Sequence, residues 1–176
     1  CDSPKTYKKI RIMLIDCSYF MAGRRHIQNA SLGRMPNPNA IEVNNAIESY
    51  IESYQEGFLI RMLGPVIGQK VQDYLTNSGN GDACIEAVCE RLKESFADYV
   101  FYRIVQENNT QATITGLVRL KCANEYVSPI RRQVIVWNTM VERNRIFAEW
   151  CRSSDCAVSG IEISSAMLTK INSLNL

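Results

Sequence analysis

The sequence predicts a mostly α-helical fold: a small helical bundle with a short β-hairpin or extended excursion and extended terminal arms. Three observations predict it. In residues 37–77, Val43, Ile47, Tyr50, Ile51, Tyr54, Phe58, Leu59, Met62 and Leu63 recur at helical spacing. Glu42, Asn45, Glu48, Ser49, Glu52, Ser53 and Glu56 fall mostly on the other face. Residues 82–107 repeat that period through Ile85, Val88, Cys89, Leu92, Phe96, Tyr99, Val100 and Arg103. A third periodic stretch opens at Ser128-Pro129, a cap followed by a first-turn proline, with Ile130, Val134, Trp137 and Val141 on its buried face.

The chain divides into an N-terminal arm and loop over 1–36, a helical bundle over 37–152 with an excursion at 111–127, and a C-terminal docking tail over 153–176. Residues 2–9 are polar and basic and read as an arm. Ile10 to Ile15 is an apolar run broken by Arg11, too short to assign to strand or helix. Cys17 to Pro38 reads as extended loop with a basic patch at Arg24, Arg25 and Arg34. These arginines are either solvated surface or contacts to an acidic partner or nucleic acid.

Gly64-Pro65 breaks the first helix, because glycine leaves helical geometry cheaply and proline cannot continue the hydrogen-bond ladder. Pro65 suits the first turn of a shorter helix, Val66 to Leu75. Asp82 is a fitting cap for the next helix, and Asn108-Asn109-Thr110 ends it. The aromatics Phe96, Tyr99 and Tyr102 stand at helical spacing and read as core rather than as a stacking platform for bases.

Residues 111–127 change character. Ile114, Leu117 and Val118 lie among β-branched residues around Gly116, the pattern of a hairpin or of an excursion that pairs with another chain. On the last helix Arg131, Arg132, Arg143 and Arg145 lie off the apolar stripe, as a solvated face or a charged interface would. From Ser153 the chain loosens. Ile161 and Ile163 alternate with a glutamate, and Met167 and Leu168 belong to an apolar tail that suggests docking on its own body or on a neighbour.

Chemistry is sparsely signalled. A chain of 176 residues makes one domain and buries a core without staples. A net charge of +2 is too near neutral to mark a nucleic-acid-binding domain by itself. No run approaches the ~18 apolar residues needed to span a bilayer, so no membrane partner is expected. Seven cysteines include no C-x-x-C pair and accompany a single histidine, His26. That pattern does not fit a zinc site, and the thiols read as reduced, in a cytoplasmic setting. No phosphate-binding loop, nucleophile elbow or H-E-x-x-H helix occurs, and one histidine leaves a serine or cysteine nucleophile without its usual base. The expectation is a protein that is not an enzyme, with no catalytic residue, metal or cofactor. An alternative is a surface-anchored lipoprotein or binding module with a lipidated Cys1.

One resemblance goes further. The run Tyr50-Ile51-Glu52-Ser53-Tyr54-Gln55-Glu56-Gly57-Phe58-Leu59, followed by Met62-Leu63-Gly64, resembles small helical proteins of Bacteroides phages and prophages. Phe96-Ala97-Asp98-Tyr99-Val100-Phe101-Tyr102 and Trp137-Asn138-Thr139-Met140-Val141 fit the same pattern. Over residues 40–150 the chain resembles the head–tail connector (adaptor) proteins of tailed phages. The resemblance implies a structural virion protein, a homo-oligomeric ring, typically a dodecamer, between the portal protein and the tail or neck proteins. Arg24, Arg25, Arg34, Arg131 and Arg132 would then meet acidic partner surfaces or DNA in the lumen. Ile114, Leu117, Val118, Ile161, Ile163, Met167 and Leu168 would supply contacts between subunits or to neighbours.

Overall fold

The computed structural model describes residues 13–31, 38–76, 82–108, 110–113, 116–119, 129–153 and 158–174. Helix α1 (Pro38–Thr76) is divided at Gly64, whose φ of 80° and ψ of 166° belong to a region essentially restricted to glycine. The helix, sharp turn and shorter helix expected from the sequence are all present. Gly68 is what lets the corner close. A Cβ there would lie 3.0 Å from the Ile60 backbone and the Leu59 carbonyl oxygen. Farther from the corner, the buried Gln55 Nε2 donates to Gln72 Oε1 at 3.1 Å, joining the two arms of α1.

Helix α2 (Ala83–Asn108) begins as its sequence predicts: Asp82 Oδ1 accepts from the N–H groups of Cys84 and Ile85 at 3.0 and 3.2 Å. Ser95 to Tyr102 are all buried, so α2 is the central element. A helical stretch buried on every face needs neighbours on every side. Phe58 of α1 lies 4.9 Å from Phe96 and 5.5 Å from Tyr99, ring to ring. On α3 (Pro129–Ser153), Trp137 lies 4.8 Å from Tyr102 and 6.4 Å from Tyr99. Both outer helices pack chiefly on α2.

Strands β1 (Thr110–Thr113) and β2 (Gly116–Arg119) follow α2 and pair antiparallel, Thr110 opposite Arg119 and Thr113 opposite Gly116. At the root of this ribbon Arg103 Nη2 donates to the Tyr54 hydroxyl at 3.0 Å, and that hydroxyl donates to Glu107.

Two segments differ from their sequence expectation. Residues 13–31, expected as arm and loop, form 3-10 turns at Cys17–Phe20 and Gly23–Arg25 and bury Leu14, Ile15, Cys17 and Phe20. These apolar residues follow neither helical nor strand period, because local bonds shape the segment. Asp16 Oδ1 accepts from Ser18 N at 2.8 Å, and Ile27 N donates to Phe20 O at 2.8 Å. Gln55 Oε1 then fixes the segment to α1 by accepting from Leu14 N at 2.6 Å. The second segment, 158–174, is no extended arm. It lies along α3 and reaches the corner of α1 as a strap.

Candidate functional site

The densest polar constellation lies where residues 22–25, α2 and α3 meet. Asp98 interrupts the aromatic run of α2, and its side chain is only 6% exposed. Arg25 answers it: Nη1 donates to Asp98 Oδ1 at 2.9 Å and to the Glu94 carbonyl at 3.2 Å, Nη2 to Glu94 Oε2 at 2.8 Å, and Nε to the Tyr19 carbonyl at 3.3 Å. From α3, Arg143 places Nε 2.9 Å from Asp98 Oδ2 and Nη1 3.5 Å from Glu94 Oε2. Burial pushes the Asp98 carboxyl above its ordinary value, while Arg25 and then Arg143 pull it down. Two guanidiniums facing two carboxylates make a charge-balanced lock between three elements. Asp98 is the buried member, and removing Arg25 would strand its charge.

A cleft of ≈ 330 Å³ opens over this lock, lined by Gly23, Arg24, Arg25, Asp98, Thr139 and Arg143 among others. Arg24 stands at its rim, with Nη1 3.4 Å from Thr139 Oγ1. Arg132 Nη2 donates to the carbonyls of Arg24 and His26, both at 3.2 Å, and its guanidinium lies 4.8 Å from the Phe101 ring centroid. Arg131 is exposed beside it. Arg24 and Arg132 thus meet at one surface, with Arg131 exposed at the next helix position, and Arg25 is drawn inward.

The strap has its own logic. Pro65 has no N–H, so the Arg61 carbonyl lacks its helical partner. Ser164 N fills the place at 2.8 Å, and Glu162 N donates to Leu63 O at 3.3 Å. On α3, the buried Asn144 Nδ2 donates to Met167 O at 2.8 Å while its Oδ1 accepts from Ser95 Oγ. Asn138 exchanges two bonds with Ile171, at 3.0 and 2.9 Å, and Trp137 Nε1 donates to Thr169 O at 2.9 Å. The Met167 side chain is fully buried in the core.

Of the residues expected at interfaces, Met167 is therefore corrected: it fills this chain's own core and has no surface to offer a neighbour. Ile161, Ile163 and Leu168 are half-buried. Ile161 and Ile163 pack against the same core. Arg25 is likewise committed inside the chain. Arg34 and Ile114 lie outside the described residues, and for Leu117 and Val118 only the backbone is described. Sequence reasoning missed Asp98 and Glu94 as partners of Arg25, and Asn138 and Asn144 as anchors of the strap. The signal for Asp98 was present, a lone carboxylate inside an aromatic run.

Cys17, Cys89 and Cys151 are free thiols and Cys84 is half-buried near the start of α2, while Cys1, Cys122 and Cys156 lie outside the described residues. Burial pushes Cys17 and Cys89 up to about 11, far from the thiolate state that nucleophiles and metal ligands need. Among the described residues no group of His, Cys, Asp or Glu side chains is placed to hold a metal ion, and no helix is long and apolar enough to cross a membrane. No family model matches the chain, and neither a curated protein nor a solved structure matches it.

Proposed function

We propose that this chain is a structural subunit of a phage neck, a head–tail connector that forms a homo-oligomeric ring between the portal and the tail. It works by assembly rather than catalysis, in the virion, after synthesis in the host cytoplasm. The observation that carries the reading is the β1–β2 ribbon. It leaves the end of α2 as an isolated pair, with both outer edges unpaired among the described residues. Unpaired strand edges are templates for pairing with another chain. The resemblance over residues 40–150 supplies the partners: the portal, the tail or neck proteins, and further copies of this chain. In such a ring Arg24, Arg131 and Arg132 are positioned on a surface that can face a partner or the phosphate backbone of DNA in the lumen.

The test is to mix the chain with the portal encoded beside it and measure the assembly by native mass spectrometry and electron microscopy. A ring of copies stacked on the portal is expected. No association, with a portal competent for another neck protein, would sink the reading.

A further inference from the structure

The net charge of +2 conceals a partition. Residues 38–60 of α1 carry four glutamates, Glu42, Glu48, Glu52 and Glu56, and no lysine or arginine. All four are exposed. Between them run small side chains, Ala46, Ser49, Ser53 and Gly57, also exposed, which leave room for another surface to approach the helix closely. Helix α3 carries five arginines, of which Arg143 is held by Asp98 and Glu94 and Arg145 by Glu142 and the Leu168 carbonyl, while Arg131 and Arg132 are exposed near its start. Arg24 adds to this surface from the N-terminal segment. Ile135, 42% exposed, sits one turn beyond Arg131 and offers an apolar anchor at its centre.

From this we infer that the acidic outer face of α1 on one copy docks on the Arg24–Arg131–Ile135 surface of the next. The occupant is a second copy of this chain, because each molecule carries both halves of the charge pair. The two patches belong to different helices, each packed on α2, and the inferred contact is heterologous, head to tail. Such contacts close into rings or run on as filaments, whereas a self-complementary patch stops at a dimer. Charges of opposite sign steer the encounter and fix its register, and Ile135 against the small side chains of α1 gives the contact its apolar part. The inference deepens the ring reading and rests on it for its setting.

Charge reversal tests it. One variant carries Glu48→Arg and Glu52→Arg; the other carries Arg24→Glu and Arg131→Glu. Both pairs are exposed, and the corresponding Gln variants serve if a reversal fails to fold. Sedimentation velocity over a concentration series reads self-association at ~0.01 M and ~0.15 M salt, where screening lengths are about 30 and 8 Å. The wild-type chain is expected to associate more strongly at low salt. Each reversal alone is expected to weaken association roughly tenfold or more, and an equal mixture of the two to restore it, since each supplies the partner the other has lost. Absence of association at every concentration, indifference to reversal, or a mixture no better than its parts would overturn the contact. The same samples on the portal separate the two readings. Self-association without portal binding removes the connector role alone. Rings on the portal that ignore both reversals remove this contact alone.

Discussion

The strap over 158–174 and the β1–β2 ribbon both depart from the three helices, and they differ in where their backbone bonds go. Strap N–H and carbonyl groups reach the rest of the molecule: Glu162 and Ser164 to the α1 corner, Met167 and Ile171 to asparagines of α3, and Thr169 to Trp137. Among the described residues, the ladder of the ribbon runs only between its own strands. An isolated two-stranded ribbon is marginally stable in water, whereas a segment that fills vacant acceptors and buries a methionine joins the cooperative unit. The difference separates a segment that completes the body from one whose backbone bonds, among the described residues, stay within itself.

The hardest blow to the strap is Met167→Ala. A fully buried side chain of this size costs about 2–5 kcal/mol when truncated, read as a lower urea midpoint with unchanged slope. A loss well under ~1 kcal/mol would place the strap outside the cooperative unit. Gly64→Ala comes next. It forces a Cβ into a glycine-only backbone region and 3.3 Å from Glu162 Cβ, at a cost of about 1–3 kcal/mol, and it should speed exchange at the Glu162 and Ser164 amides. Asn138→Ala removes both bonds to Ile171, about 1–2 kcal/mol, and should free the end of the strap while Ser164 stays protected.

The smallest effect is one of pH. A hydrogen bond from Lys170, then its charge, hold the Glu142 carboxyl below its ordinary value, with Arg145 adding to the pull. A depressed carboxylate contributes stability that is fully present above its unfolded value and lost as pH falls through its folded one. Exchange near Lys170 should therefore quicken in acid, below the usual carboxylate range, and Glu142→Gln should flatten that response.

Much of the fold was legible in the sequence. Gly64-Pro65 announced the corner, Asp82 the start of α2, and apolar spacing all three helices. Spacing reports that a face is buried but not against what, and the remainder follows from that. Asn138 and Asn144 look like surface residues of α3, yet Asn144 is fully buried because the strap needs its amide. Nothing local tells Asp98 that its partner is Arg25, 73 residues away. Residues 13–31 were missed because their turns are set by single side-chain bonds rather than by a repeating period. The apolar tail carried two expectations, docking on its own body or on a neighbour; its described residues lie on α3 and the α1 corner, and the carbonyl freed by Pro65 is part of what draws them inward.

Native-state hydrogen exchange, read residue by residue on the free chain, tests the contrast between strap and ribbon most directly. The amides of Glu162, Ser164 and Ile171 should exchange with the slow helical core. Those of β1 and β2 should exchange orders of magnitude faster and slow only when the portal or further copies are bound. Fast exchange in the strap, or a ribbon as protected as the core in the free chain, would contradict the account.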